Sequence, residues 1–331
     1  MKLLALITDG PGAAGGIARY NSDLMNALTQ TSAISAVTAL PRLGSQRLPS
    51  QKLTQLEPIA GRNAWALKGA SLAARSKFDI LFCGHLNAAP LAAWLARLCG
   101  ARLWLQVHGI DAWTPRGRAF DKALRQASLV TAVSRYTRER LLAWSNADPA
   151  RVRVLPNTIG EITGRRTPSR EIAARHALEG CRVILTVGRL SSLERYKGHD
   201  RIIRAMPEIV RRCPDARYLI VGSGDDETRL RQLAAASGTG EKIIFAGAVS
   251  AGELPEYFQL ADVFAMPSTG EGFGIVYLEA AAAGLPVIAA NRDGSRDALA
   301  DGRIGVLIDP DDTTALADAV VAGLAGHIPA G

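Results

Sequence analysis

Ser268-Thr269-Gly270-Glu271-Gly272-Phe273-Gly274-Ile275-Val276-Tyr277-Leu278-Glu279 sets glycines at 270, 272 and 274 around one carboxylate and then runs on to a second. Residues 261–266, just before it, read as a short buried strand, and 275–283, free of Gly and Pro, as a helix, so the glycines form a strand-to-helix turn. Such a turn lets backbone N–H groups approach a ligand closely, at a helix N-terminus whose unpaired donors and dipole favour phosphate. Glu279 falls in the first or second helical turn, where a carboxylate can accept both hydroxyls of a ribose. Glu271, on the loop, is free to face another part of the same ligand. The arrangement fits a nucleotide sugar, although an ordinary turn with a Glu complementing the helix dipole has the same letters.

Outward from this turn, the strand-then-helix step recurs along the chain. In the first half apolar runs at 3–7, 36–40, 80–83, 103–107, 129–133 and 152–155 are separated by helical stretches. In the second half the runs are 183–187, 218–221, 243–245, 263–266, 286–289 and 305–308. Alternation of this kind predicts parallel sheets wrapped by helices. With 331 residues, two doubly wound α/β domains follow, 1–160 and 161–331, joined by a polar linker over 157–170 that contains Gly160, Gly164 and Pro168.

Composition removes several classes of function. No apolar run approaches a membrane span, and the opening residues 1–7 meet Thr8-Asp9-Gly10-Pro11 too soon for a secretory leader, so they are read as a strand. Cys83, Cys99, Cys181 and Cys213 lack metal or redox spacing, which fits reduced thiols in a cytoplasmic protein. The net charge of +8 is divided unevenly: residues 1–160 hold 20 Lys and Arg against 8 Asp and Glu, residues 161–331 hold 19 against 23. The basic first half implies an anionic partner, either a lipid-linked diphosphate or a membrane surface, the plain alternative being a solubilising shell. Nucleic acid is excluded as a partner because the basic residues are dispersed and no nucleic-acid motif is present.

In open α/β sheets ligands gather beyond the carboxyl ends of the strands. Thr8 to Tyr20 has glycines at 10, 12, 15 and 16, and is read as a loop whose Gly15 and Gly16 amides approach a phosphate or sugar, with Arg19 nearby. Its match to Gly-x-Gly-x-x-Gly is weakened by Pro11 and by the missing acidic partner. His108 and Asp111 follow one run and His85 another, two histidines at strand ends without a metal-ligand spacing, so no metal is expected. Gly188-Arg189 ends the first strand of the second domain and Lys197 precedes a helix over 200–210, so the two cations can flank a diphosphate and stabilise it as a leaving group. The alternative is a surface loop with salt bridges to Glu194 and Asp200. Gly222 and Val249 follow two further strands, where small residues leave room for a flat base. Asp309-Pro310-Asp311-Asp312 is read as helix N-capping rather than as a metal motif.

These segments together resemble the retaining glycosyltransferases of family 4, whose GT-B architecture is two facing Rossmann-like domains about a central cleft. The resemblance spans nearly the whole chain and rests on Glu271-x7-Glu279 within Pro267-Ser268-x-x-Glu271-Gly272-Phe273-Gly274, preceded in order by Leu155-Pro156-Asn157, Gly188-Arg189-Leu190 with Lys197-Gly198, and Val221-Gly222-x-Gly224. It implies that Arg189 and Lys197 hold the donor diphosphate, Glu279 the ribose, Glu271 the sugar hydroxyls, and the amides of Phe273, Gly274 and Ile275 the sugar or distal phosphate. It places His108 beside the reacting sugar, closes the Gly15–Gly16 loop over the diphosphate, and makes Arg19, His85 and Asp111 acceptor-side residues. Glu271 is a positioning group on this reading, and no cofactor beyond the nucleotide-sugar co-substrate is implied.

Thr8-Asp9-Gly10, Cys83-Gly84-His85, 107–113 and 194–200 are similar to bacterial exopolysaccharide mannosyltransferases, which implies GDP-mannose and a lipid-linked oligosaccharide acceptor at the inner face of the plasma membrane. A UDP-sugar-dependent transferase, a nucleotide-sugar epimerase and a non-catalytic glycan or nucleotide-sugar binder are the alternatives. Two departures stand out. Pro156-Asn157-Thr158 replaces the family's Pro-Asn-Gly, which implies an altered hinge, and the sequence ends at Gly331 where relatives usually add a returning helix, so either weaker domain closure or a trimmed chain is expected.

Overall fold

The computed structural model describes residues 1–13, 15–160 and 169–329, so most of the predicted linker, and Ala14 of the first glycine loop, lie outside the described residues. The chain divides into two compact units, Met1–Gly160 and Glu161–Gly331. In the first, strands β1 (Lys2–Asp9), β2 (Ala36–Leu43), β3 (Leu53–Gln55), β4 (Ile80–Cys83), β5 (Arg102–Val107), β6 (Leu129–Ala132) and β7 (Val152–Val154) form one sheet in the order β3-β2-β1-β4-β5-β6-β7. In the second, β8 (Arg182–Val187), β9 (Ala216–Val221), β10 (Ile243–Gly247), β11 (Val263–Met266), β12 (Val287–Ala290) and β13 (Val306–Ile308) are ordered β10-β9-β8-β11-β12-β13. Every pairing between these strands is parallel.

The strands read as unbroken apolar runs because both faces of each sheet are covered. Successive side chains of β1 go to opposite faces: Leu4 and Leu6 enter one core with Leu40, Leu81 and Leu105, while Leu3, Ala5 and Ile7 enter another with Met25, Val37 and Phe82. Each buried Leu or Ile contributes about 2 kcal/mol. In the second unit Ile184, Tyr218, Ile220, Ala265 and Ile288 line a core beneath the helices His199–Arg212 and Thr313–Leu324. The latter helix starts as its sequence predicts, with Asp312 Oδ1 accepting the Ala315 N–H at 2.8 Å. Strand β3 was not foreseen; it is three residues long and paired only with β2. Among the described residues no helix is long and apolar enough to cross a membrane.

Candidate active site

In each sheet the strand order reverses beside the first strand of the unit, between β1 and β4 and between β8 and β11. Loops that leave neighbouring strands in opposite directions at such a point open a crevice at the carboxyl ends.

In the second unit β8 leads through Gly188 and Arg189 into a tight turn, Ser192–Lys197, and then the helix His199–Arg212. Strand β11 leads through 267–274 into the helix Ile275–Ala282. Two contacts lock the loops together. The Thr269 N–H donates to the Tyr196 carbonyl at 2.8 Å. Gly198 sits at φ 84°, and a Cβ there would meet the Pro267 carbonyl oxygen at 2.5 Å, so this crossing needs glycine. The Lys197 stem passes over Gly188, where a Cβ would lie 3.1 Å from Cδ.

The result is that Lys197 Nζ donates to Glu271 Oε1 at 2.6 Å, with the side chains only 15% and 14% exposed. Burial lowers the Lys197 pKa, but the charges of Glu271, Tyr196 and Glu194 outweigh it and leave the ammonium above its ordinary range. Arg189, by contrast, is 79% exposed and pairs with Glu194, whose second oxygen lies 3.8 Å from Lys197 Nζ. Of the two salt-bridge partners considered from sequence, only Glu194 joins the group; Asp200 faces Arg204 and Arg229, at 3.7 and 3.6 Å. Two cations and two carboxylates therefore meet where two strand ends diverge.

Sequence reasoning missed the residue that steadies Glu271. Asp293, 1% exposed, accepts the Glu271 N–H at 2.7 Å through Oδ2 and the Ser295 N–H at 2.9 Å through Oδ1, and Gly294 donates back to the Glu271 carbonyl at 2.9 Å. Burial pushes the Asp293 carboxyl above its usual range against the pull of these hydrogen bonds. The signal was available: Asp293 follows the apolar run 286–289, just where ligand-proximal residues gather. Phe273 is buried, Gly274 turns the chain at φ 84°, and Ile275 is the first helical residue, so the foremost N–H groups lack intrahelical acceptors. Glu279 is half-buried in the second turn of that helix. Gly222 donates to the Gly247 carbonyl at 2.8 Å across the ends of β9 and β10, with half-buried Val249 two residues on.

The first unit brings His85, His108 and Asp111 together. Asp111, within the turn Ile110–Ala112, accepts the N–H groups of His108 and Gly109 through Oδ1 at 3.2 and 2.8 Å. His108 Nε2 donates to the Gly84 carbonyl at 2.9 Å, and burial lowers its pKa despite the nearby Asp111 charge, which leaves a neutral ring with Nδ1 as an acceptor. His85 Nδ1 accepts the Asn87 N–H at 3.1 Å and lies 3.9 Å from Asp111 Oδ2. The two imidazoles are 6.0 Å apart between centroids. Tyr20, also missed from sequence, packs edge-on to His108 at 5.1 Å while its hydroxyl donates to buried Gln106 at 2.7 Å. Gly15 lies at φ 102° with open space where a side chain would stand, one residue before the helix Gly16–Gln30. Arg19 lies on that helix, where its charge opposes the burial that raises the Asp23 pKa.

Comparison with known proteins gives a family match in each unit. Residues 169–325 match the family described as glycosyl transferases group 1, and residues 14–160 match Glycosyltransferase Family 4. A GDP-mannose-dependent alpha-(1-6)-phosphatidylinositol monomannoside mannosyltransferase of Mycolicibacterium smegmatis is 32% identical over 96% of this chain and 88% of its own length. The protein of the same description from Mycobacterium tuberculosis is 33% identical with the same coverage. Among solved structures, Anabaena HepE in complex with UDP matches with a TM-score of 0.73 at 19% identity, covering 99% of this chain and 94% of that one. Sucrose-phosphate synthase from Thermosynechococcus elongatus matches at 0.69 and 22% identity, over 98% and 90%. This chain shares the GT-B fold with both structures.

Proposed function

This chain belongs to glycosyltransferase family 4, a hexosyltransferase of the retaining GT-B class, and on that premise we propose that it moves mannose from GDP-mannose to a lipid-borne glycan. The observation that carries the reading is the convergence of Arg189, Lys197, Glu194 and Glu271 at the strand-order reversal of the second unit. Two cations beside a helix N-terminus suit a diphosphate, and a carboxylate steadied through its own backbone suits sugar hydroxyls. The second unit is the nucleotide-sugar domain and the first the acceptor domain.

In this scheme Arg189 and Lys197 bind the diphosphate, the amides of Phe273, Gly274 and Ile275 complete the phosphate and sugar contacts, and Glu279 takes the ribose. Gly222 and Val249 make room for the base, and Gly188 makes room for the Lys197 stem. The bond between the sugar and phosphate breaks, the acceptor oxygen bonds to the same face of the sugar, and the acceptor proton passes to a leaving phosphate oxygen. Cationic charge on the departing diphosphate lowers the barrier. His108 offers the reacting sugar a hydrogen-bond acceptor through Nδ1, and His85, Asp111 and Arg19 face the acceptor.

The mycobacterial relatives named for phosphatidylinositol monomannoside support a glycolipid acceptor and GDP-mannose as donor. They give no particular support to exopolysaccharide assembly, so a mannosylated lipid is the first acceptor to try. The excess of 20 basic over 8 acidic residues in the first unit suits a peripheral position at the anionic inner face of the plasma membrane. The test is calorimetric titration with GDP-mannose, UDP-glucose, UDP-N-acetylglucosamine, GDP and UDP, followed by mannose transfer onto phosphatidylinositol monomannoside. Selective binding of GDP and GDP-mannose with a longer glycolipid product is expected. Selective UDP binding overturns the donor, sugar turnover without an acceptor points to an epimerase, and no nucleotide binding overturns the enzyme reading.

A further inference from the structure

Glu194 stands between the two cations assigned to the donor diphosphate. One carboxylate oxygen accepts from Arg189, and the other lies 3.8 Å from Lys197 Nζ. The side chain is 13% exposed, and Oε2 is buried without a hydrogen-bond donor. A buried carboxylate oxygen that lacks a donor has little to hold it beyond the attraction of the neighbouring charge.

The turn around Glu194 is fixed by other residues. Ser192 donates through N–H and hydroxyl to the Asp225 carboxylate, at 2.9 and 2.5 Å, and Arg195 Nε donates to Asp226 Oδ1 at 2.9 Å. At Glu194 itself the backbone leaves helical geometry, φ −118° and ψ 24°. The turn therefore keeps its shape without the Glu194 carboxylate. Glu271, the other carboxylate on Lys197, accepts the ammonium at 2.6 Å, against 3.8 Å for the Glu194 oxygen that has no donor, so Glu194 is the more readily displaced of the two.

We propose that Glu194 is a resident counter-anion that stands against the two cations assigned to the diphosphate and must swing out, or be repelled, whenever a nucleoside diphosphate binds. The inference rests on the donor-site reading above. Two consequences follow from charge alone. Ligand affinity is reduced by the fraction of molecules in which Glu194 holds both cations. The nucleoside diphosphate left after transfer carries one more ionisable oxygen than the donor, so Glu194 opposes the product more than the donor and promotes its release.

The experiment is calorimetric titration of the full chain and its Glu194→Gln and Glu194→Asp variants with GDP, UDP, GDP-mannose and guanosine, folding being checked by circular dichroism. Glu194→Gln is expected to tighten the preferred nucleoside diphosphate about tenfold, to tighten the nucleotide sugar less, and to leave guanosine unchanged. Glu194→Asp keeps the charge and is expected to stay near the parent. If Glu194 only oriented Arg189 toward phosphate, Glu194→Gln would weaken binding, so unchanged or weaker nucleotide binding overturns the proposal; Glu194→Ala replaces it should the Gln variant not fold. Failure of the parent chain to bind either GDP or UDP would instead overturn the donor-site reading, and this proposal with it.

Discussion

The two strand-order reversals are built alike and furnished differently. At the end of β8 and β11 four ionised groups are gathered, Arg189, Lys197, Glu194 and Glu271. At the end of β1, β4 and β5 two imidazoles and several backbone groups surround the Asp111 carboxylate, with Asp9 close enough to act on His108 and Arg116 donating to the Asp111 carbonyl. Paired charges suit a polyanion that must be held and then let go, since an ion pair can be exchanged for another. The His108 imidazole, its pKa lowered by burial, suits a hydroxyl, which needs direction more than charge. One topology thus supports two kinds of chemistry, and the loops alone decide which.

The strongest way to break this comparison is to remove the charge. The double substitution Arg189→Ala and Lys197→Ala is expected to lower transfer about 10³-fold or more and to abolish the heat of nucleotide binding while circular dichroism stays unchanged; unaltered turnover would end the diphosphate assignment. Acid is a second lever on the charged unit. His199, 4% exposed directly after Gly198, has its pKa pushed down to about 4 by burial and by the Lys197 charge. Between that value and an ordinary histidine near pH 6.5 the unfolded chain binds a proton that the folded chain does not, so stability falls as pH drops through this window, by about 3 kcal/mol in all. Urea unfolding at pH 7 and pH 4.5 should show it, and His199→Asn should flatten the difference.

On the neutral side, His108→Gln is expected to lower kcat about 10²-fold while nucleotide affinity changes less than about twofold. An equal loss of affinity would mean that the two sites divide their labour differently. The smallest effect is expected from Tyr20→Phe. Gln106 Oε1 keeps the Thr131 hydroxyl at 2.5 Å, so only one of its two donors is lost. The cost is about 1 kcal/mol, a fall in Tm of about 3 °C by scanning calorimetry.

The same contrast explains what could be read from the sequence. The runs at 80–83 and 263–266 coincide with β4 and β11 because strands covered on both faces show as unbroken apolar stretches. Leu53-Thr54-Gln55 carries no such pattern, and it becomes a strand only by pairing with β2. Lys197 and Glu271 could each be singled out, but their ion pair could not. It spans 74 positions and depends on β11 lying beside β8, a neighbour that the intervening β9 and β10 conceal. The place of Asp293 after a strand was legible, but its role was not, since it receives a backbone N–H from a loop 22 residues earlier.

The order of the sheets bears on how the chain is made. The first strand of each unit, β1 or β8, is an interior one; the next two strands attach outward on one side and the remainder outward on the other. As the polypeptide leaves the ribosome, every new strand thus finds an open edge waiting, and none has to wedge between two already joined. The growing sheet never has to be pulled apart to admit a late arrival, and the first unit can complete its sheet before the second emerges.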